Sequence, residues 1–254
     1  MTILFAFSVQ ASGWEENPQV EALLKSAGVN STFVLYDVQS RTTRGYNEAR
    51  AQKRFVPAST FKIPNTLIGL WTGAVKSVDE VIPYTGPPQP FIQAWKKDMA
   101  LRQAIALSNV PIYQELARRV GLERMREKVS ALDYGNKEIG TSVDTFWLKG
   151  PLEITAVEQT RFLAGLAQGA LPAPAYVQQS VREILWLDRG PDWELYGKTG
   201  WANAPDPGVG WWVGWVQKNG RVYTFALNMD MEKASDAPKR EALGRSCLQA
   251  LGII

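Results

Sequence analysis

The chain of 254 residues contains no histidine and only one cysteine, Cys247. Without a histidine, a serine nucleophile must use another side chain as its base, and the commonest metal ligand in proteins is missing. A single cysteine cannot form an intramolecular disulfide or a Cys-x-x-Cys zinc or redox site. We therefore expect no metal ion and no bound cofactor, and we interpret Cys247 as a core residue of a C-terminal helix.

Long runs of like charge are also missing. The 28 basic and 25 acidic residues give a net charge of +3, without a basic helix carrying interleaved aromatic residues, so nucleic acid is not an expected partner. The apolar run at residues 3–9 is too short to span a bilayer, and Val9-Gln10-Ala11 has the small-residue spacing of a signal-peptidase site. We interpret residues 1–11 as a remnant of a signal peptide, with an N-terminal strand as the alternative.

The full sequence is 45% hydrophobic with ten tryptophans, which predicts one globular domain over residues 12–254. Strand patterns occupy residues 33–38, 44–50, 193–198, 210–218 and 221–230. Helical patterns occupy residues 61–72, 98–107, 111–120, 122–132, 155–168, 174–188 and 238–251. Strands at both ends with helices between predict an α+β fold: an antiparallel sheet flanked by helices, with a helical lobe at roughly residues 65–190 inserted.

Ser59-Thr60-Phe61-Lys62 places a hydroxyl and an amine three residues apart, hence on one face of a helix. Lys62 could take the proton of Ser59 if its amine is uncharged, and burial lowers a lysine pKa by up to about 3 to 5 units from about 10.4. Pro64 indicates a tight first turn or a late helix start, with Ser59 at the N-terminal end where free N–H groups favour negative charge. The motif alone is weak, because Ser59 capping a helix beside a solvated Lys62 is the ordinary alternative.

Two further elements follow in order, Ser108-Asn109-Val110 after a predicted helix and Lys198-Thr199-Gly200 at the end of a predicted strand. Such a trio is the signature of penicillin-recognising enzymes, which carry Ser-Asp-Asn in the middle place. From about residue 33 onward the chain resembles the class D, oxacillinase-type serine β-lactamases. The other matching segments are Pro57–Asn65, Tyr134-Gly135-Asn136, Phe146-Trp147-Leu148, Gly197–Gly200, Trp211–Trp215 and Asn228-Met229-Asp230.

The resemblance implies a penicillin-binding, transpeptidase-like fold and hydrolysis of penicillin-type β-lactams through an acyl-enzyme on Ser59. It also implies that Lys62 reacts with carbon dioxide or bicarbonate to give an N-carboxylysine, which serves as general base in acylation and deacylation. Ser108 would relay a proton to the lactam nitrogen, and Lys198 would supply positive potential. The oxyanion would bind the backbone N–H groups of Ser59 and Trp201.

Two supporting sets of residues accompany these roles. Val110, Trp147 and Leu148 are expected to support the carbamate, because an apolar wall favours an uncharged amine and an indole N–H can hold a carboxylate. The expected substrate-binding residues are Thr199, Gly200, Arg240 and Tyr134. Arg240 follows Asp230 by ten residues, where the family has its carboxylate-binding arginine.

Two other functions of this fold stay open from the sequence. One is a penicillin-sensing receptor domain that is acylated without turnover, and the other is a cell-wall transpeptidase or carboxypeptidase. Val110 stands where transpeptidases have a polar residue, which favours the hydrolase. The expected partners are β-lactam small molecules, with no stable membrane anchor, a possible homodimer, and a periplasmic location in a Gram-negative bacterium.

Overall fold

The computed structural model describes residues 13–204 and 206–254, so the predicted signal-peptide remnant at residues 1–11 lies outside the described part of the chain. Seven strands form the main sheet, in the order β1-β3-β2-β9-β8-β7-β6, and β4 and β5 form a small second sheet. The strands are β1 (Trp14–Glu16), β2 (Ser31–Asp37), β3 (Thr42–Tyr46), β4 (Val81–Ile82), β5 (Met99–Ala100), β6 (Trp186–Arg189), β7 (Trp193–Ala202), β8 (Gly208–Lys218) and β9 (Arg221–Met231).

Helices flank the sheet on both faces. The α-helices are α1 (Pro18–Ser26), α2 (Glu48–Ala51), α3 (Lys62–Trp71), α4 (Leu101–Ala106), α5 (Val110–Val120), α6 (Leu122–Ala131), α7 (Phe146–Lys149), α8 (Ala156–Gln168), α9 (Ala175–Ile184) and α10 (Lys239–Ala250). Short 3₁₀ helices occur at Ala58–Phe61, Gln93–Trp95 and Ala234–Asp236. Within the described residues, none of the helices has both the length and the apolar character needed to cross a bilayer.

The predicted α+β architecture is confirmed, with one refinement of the sheet. All neighbouring strands of the main sheet are antiparallel except β1, which pairs in parallel with β3. Side chains alternate along β8: Trp211, Val213 and Trp215 join the core beneath the helical part of the molecule, whereas Trp212 packs beneath α10. Cys247 of α10 is fully buried in this second core, as expected.

Two predicted elements have the wrong extent. The strand predicted at residues 44–50 ends at Tyr46, because Asn47 adopts a left-handed conformation (φ 63°) and its side chain caps α2 by accepting the N–H of Arg50. The helix predicted at residues 174–188 ends at Ile184, and residues 186–189 form the edge strand β6. No glycine or proline marks that change; pairing with β7 imposes it.

The helical lobe is smaller than the predicted range of residues 65–190. Helix α8 lies on the main sheet: the hydroxyl of Thr224 in β9 donates to the carbonyl of Thr160 at 2.9 Å, and the guanidinium of Arg161 lies 3.7 Å from the ring centre of Tyr36. Helix α1 was not predicted, although Asn17 before Pro18 is a recognisable N-terminal cap. The reactive residues lie where α3, α4 and α5 meet β7.

Candidate active site

Ser59 lies in the 3₁₀ helix Ala58–Phe61, which runs directly into α3 at Lys62. This is the tight first turn expected from Pro64. The amine Nζ of Lys62 donates to Oγ of Ser59 at 2.9 Å, so the sequence motif forms one contact in the folded chain. Ser59 is 8% exposed and Lys62 is 0% exposed, which places the hydroxyl at a surface and the amine behind it.

The amine of Lys62 is buried beside one aromatic ring, and the preceding residue, Phe61, belongs to an aromatic pair. Its Nζ lies 5.3 Å from the ring centre of Tyr113, and the ring of Phe61 stacks on Trp147 with centroids 5.4 Å apart. Burial, and secondarily the charge of Lys198, hold the pKa of Lys62 well below its ordinary value. The site therefore favours an uncharged amine.

A second lysine and serine meet on the open side of the site. Nζ of Lys198 in β7 donates to Oγ of Ser108 and to the backbone carbonyl of Thr199, each at 3.0 Å. Ser108 has φ 54°, and the next residue, Asn109, caps α5 by accepting the N–H of Ile112 at 3.1 Å. Burial, and then the charge of Arg240, lower the pKa of Lys198 to about 7. The two lysines thus belong to one site but have different surroundings.

The edge of β7 passes close to the turn that carries Ser59. A Cβ on Gly200 would lie 3.0 Å from Cγ2 of Thr60 and 3.1 Å from the carbonyl of Pro57, so a glycine allows this approach. At the outer side of the strand, the N–H of Gly197 donates to the carbonyl of Leu185 at 2.9 Å. Because backbone N–H groups alternate in direction along a strand, the N–H of Trp201 points to the same side.

Arg240, at the start of α10, is held against this strand. Its Nη1 donates to the carbonyl of Gly200 at 2.6 Å, and its Nε donates to the carbonyl of Ala237 at 2.8 Å. It is partly exposed and close enough to Lys198 to lower the pKa of that amine. The site thus has a second basic side chain beside the Lys198-Thr199-Gly200 segment, and its binding of a substrate carboxylate stays a prediction.

Residues 30–249 match the family model of the penicillin-binding protein transpeptidase domain. Beta-lactamase OXA-5 from Pseudomonas aeruginosa is 40% identical over 99% of this chain and 95% of its own length. The chain belongs to the class D β-lactamases. Beta-lactamase OXA-48 from Klebsiella pneumoniae is 37% identical over 96% of this chain and 92% of its own length. The crystal structure of the class D enzyme FUS-1 (OXA-85) from Fusobacterium nucleatum subsp. polymorphum covers 94% of this chain and all of its own, with a TM-score of 0.91 and 44% identity.

As a class D β-lactamase, the chain hydrolyses β-lactams through a serine acyl-enzyme. Among the residues that the structure describes, no cluster of three or more histidine, cysteine, aspartate or glutamate side chains could hold a metal ion.

Of the residues predicted to support a carbamate, Trp147 stacks on Phe61, the residue before Lys62. Trp147 is fully buried in α7, and Leu148 beside it is half-buried, as is Val110 at the first residue of α5. The indole Nε1 of Trp147 is buried and has no hydrogen-bond acceptor among the described residues. A buried donor without a partner is costly, so this N–H is available to an acceptor that the described residues do not supply.

The prediction that Tyr134 lines the substrate cleft is wrong. The side chain is fully buried and packs edge-on against Phe61 and Phe162, with centroids 5.7 and 5.0 Å away. Burial raises the pKa of its hydroxyl above the ordinary range, and that hydroxyl contacts Oε1 of Gln159 at 3.5 Å. Tyr134 is therefore a core residue, because its ring packs behind the turn that carries Ser59.

Gln159 in α8 is a site residue that the sequence did not reveal. Its Nε2 donates to the hydroxyl of Thr60 at 2.8 Å, and that hydroxyl donates to the carbonyl of Pro57 at 2.7 Å. Both side chains are buried, so the bonds fix the turn that carries Ser59. No local pattern marks Gln159, because 99 residues separate it from Thr60.

Proposed function

We propose that this class D β-lactamase hydrolyses penicillin-type β-lactams with Ser59 as nucleophile and with Lys62 as the residue that provides its base. The observation that carries the proposal is the 2.9 Å contact between Nζ of Lys62 and Oγ of Ser59, in a chain without histidine. The amine is fully buried and its pKa lies well below the ordinary value, so it can accept a proton or react as a free amine.

In acylation, Oγ of Ser59 attacks the lactam carbonyl, and the developing oxyanion accepts hydrogen bonds from the backbone N–H groups of Ser59 and Trp201. The direction of the Trp201 N–H, inferred from the contact of Gly197 with Leu185, supports this assignment. The close approach of Gly200 to Thr60 and Pro57, on the turn that carries Ser59, also supports it.

We further propose that Lys62 carries a carboxylate in the working enzyme. Trp147 fits the modification, because its buried indole N–H has no acceptor and would hold a carboxylate oxygen. Val110 and Leu148 would keep the surroundings apolar, which favours the neutral amine that combines with carbon dioxide. A carboxylated lysine supplies a base that can take a proton from a hydroxyl or a water near neutral pH.

The open side of the site would complete the reaction. The hydroxyl of Ser108 is positioned to pass a proton to the departing lactam nitrogen, while Lys198 contributes positive potential through their 3.0 Å contact. Arg240 and the hydroxyl of Thr199 would bind the substrate carboxylate, and the backbone at Gly200 leaves room for the ligand.

Steady-state hydrolysis of benzylpenicillin, in carbon dioxide-depleted buffer and in buffer with bicarbonate, tests both levels of the proposal. We expect many turnovers per chain, a lower rate after depletion and recovery with bicarbonate. A burst of one acylation per chain without a steady state would instead identify the penicillin-sensing receptor. Many turnovers that do not respond to depletion would leave the hydrolase standing and contradict carboxylation of Lys62.

A periplasmic location is proposed from the signal-like pattern of residues 1–11 and from relatives in Gram-negative bacteria. Osmotic-shock fractionation of cells that express the chain should release the activity, and activity confined to the cytoplasmic fraction would contradict it. The possible homodimer stays a prediction, which light scattering of the purified protein would test.

A further inference from the structure

A cavity of about 180 Å³ lies along β7, beside Lys198 and Thr199. Its walls come from the end of α4, the turn into β6, strands β7 and β8, and α10. Ala106, on α4, and Leu187, on β6, are exposed lining residues, so the cavity opens at the surface. It borders two residues of the reactive site without being needed for the steps described above.

One wall of the cavity includes a side chain whose polar atom has no hydrogen-bond partner among the described residues. Trp212 lines it and is fully buried, and its Nε1 has no acceptor among the described residues. That nitrogen lies 3.4 Å from the point that a Cβ on Gly197 would occupy, and Gly197 is another lining residue. Cδ1 of Leu187 lies 3.1 Å from the same point, and the Leu187 residue is 40% exposed. Rotation of this rim side chain would admit a ligand atom to the indole N–H.

The position of the cavity relative to the reaction follows from chain geometry and rests on the function proposed above. The turn with Ser59 lies against Gly200, and Gly197 is three residues, or about 10 Å, further along the strand. Ala106 comes two residues before Ser108, the residue that faces the leaving nitrogen. The cavity therefore lies on the leaving-group side of the lactam, away from the carbon that bears the acylamino group.

The geometry points to a subsite for the substituent on the fused ring of the substrate: an uncharged, five-membered heteroaromatic ring whose nitrogen accepts the Nε1–H of Trp212. The volume fits one such ring, since an engineered protein cavity of roughly 150 Å³ binds benzene. Thr199 pairs with Trp212 across β7 and β8, so both side chains lie on the same face of the sheet. Lys198 and Glu241 both line the cavity with opposite charges, so the lining favours an uncharged substituent over an ion of either sign.

Two cephalosporins with the same 7-acylamino group test the subsite, one with methyl and one with (1-methyltetrazol-5-yl)thiomethyl at carbon 3. The readout is the ratio of kcat/KM for the tetrazole compound to kcat/KM for the methyl compound. Trp212→Phe removes the N–H and keeps an aromatic ring, and we expect the ratio to fall roughly five-fold, as for one lost hydrogen bond. Ala106→Leu partly fills the cavity from an exposed position and should lower the ratio about as much.

Trp215→Phe is the matched control, because Trp215 is also fully buried in β8 with an unpaired Nε1, but packs on the other face of the sheet. Its ratio should equal that of the unsubstituted enzyme. An unchanged ratio in both Trp212→Phe and Ala106→Leu, or an equal fall in Trp215→Phe, would overturn the subsite while the methyl compound still reports hydrolysis. If Trp212→Phe does not fold, Ala106→Leu decides alone. An unsubstituted enzyme that hydrolyses benzylpenicillin but neither cephalosporin would overturn the subsite and leave the proposed function standing, whereas one that hydrolyses none of the three would overturn both.

Discussion

The site contains two lysines, each hydrogen-bonded to a serine hydroxyl, in surroundings that give the two amines different chemistry. Lys62 donates to Ser59 at 2.9 Å and Lys198 donates to Ser108 at 3.0 Å, so the pairs look alike in distance. Lys198 has the Thr199 carbonyl as a further acceptor at 3.0 Å, whereas Lys62 has apolar and aromatic neighbours. Neighbouring acceptors stabilise an ammonium ion, and their scarcity around Lys62 favours a neutral amine.

The same difference appears in the pKa values. Burial lowers the pKa of both lysines. The pKa of Lys198 falls to about 7. The pKa of Lys62 is held well below its ordinary value, with the charge of Lys198 as a second cause. The charge of Lys198 therefore disfavours a charge on Lys62, while the charge of Arg240 disfavours one on Lys198. We conclude that one site can keep a cation for the substrate and a neutral amine for the base when the two amines differ in access to acceptors.

Of the substitutions that test the difference between the two lysines, removal of the buried Lys62 amine should have the largest effect on activity. We expect Lys62→Ala to lower kcat for benzylpenicillin about a thousand-fold, the size of a lost general base, and to leave a slowly formed, trapped acyl-enzyme. Intact-protein mass spectrometry would detect the added penicilloyl mass. Normal turnover by this variant would remove Lys62 from the mechanism.

Trp147→Phe tests whether the orphan indole N–H holds a carboxylate on Lys62. Because a hydrogen bond to a charged group contributes about 1.5 to 3 kcal/mol, kcat should fall roughly 30-fold, with partial rescue by bicarbonate. Trp215→Phe is the control: Trp215 is equally buried and stacks on Tyr196 at 4.6 Å, as Trp147 stacks on Phe61. A similar, bicarbonate-insensitive loss in both variants would indicate a packing defect instead.

Arg240→Ala probes the cationic half of the site. We expect KM for benzylpenicillin to rise about ten-fold with little change in kcat, because the guanidinium would bind the substrate carboxylate. Lys239→Ala is the control, since Lys239 is exposed and pairs with Asp236 at 2.9 Å. Equal KM values for Arg240→Ala and the unsubstituted enzyme would exclude Arg240 from substrate binding.

Lys198→Arg should change the pH dependence of kcat/KM more than the value of kcat/KM at neutral pH. With a pKa of about 7, Lys198 loses its positive charge as pH rises, so kcat/KM should fall through that range. A guanidinium does not titrate there, and the alkaline limb should disappear in the variant. A limb near pH 7 that persists in Lys198→Arg would belong to another group.

The same substitution has a consequence for stability. The unfolded chain has a lysine pKa of about 10.4, so between pH 7 and 10 it binds a proton that folded Lys198 lacks. Because the unfolded chain binds more protons, the titration of Lys198 makes the free energy of unfolding increase as pH rises through this window. Urea denaturation at pH 7 and pH 9 should show a smaller rise for Lys198→Arg than for the unsubstituted protein.

Tyr134→Phe should have the smallest effect. The phenol contacts Gln159 at 3.5 Å and does not face the cleft, so we expect kinetic constants within about two-fold and a stability loss of at most about 1 kcal/mol. Steady-state kinetics and thermal denaturation measure both. A rise in KM without a loss of stability would restore Tyr134 as a substrate-binding residue.

Much of the fold and of the candidate site could be predicted from the sequence. Hydrophobic periodicity located most helices and the β7, β8 and β9 meander, because those segments bury one face regularly and end at glycine, proline or capping residues. The Ser59–Lys62, Ser108 and Lys198–Gly200 motifs gave the candidate reactive groups, because short spacing and residue type decide which groups can react. Without histidine, the sequence also excluded the commonest base of a serine nucleophile and predicted Lys62 in its place.

Only the tertiary structure decided which groups are buried, paired or left without a partner. Residues 186–189 became a strand because β7 pairs with them, and Tyr134 became core because Phe61 and Phe162 pack on it. Gln159 reached Thr60, and the indole N–H groups of Trp147 and Trp212 were left without acceptors, through contacts between distant segments. Desolvation and hydrogen bonding depend on those distant neighbours, so no local pattern could have specified the different states of Lys62 and Lys198.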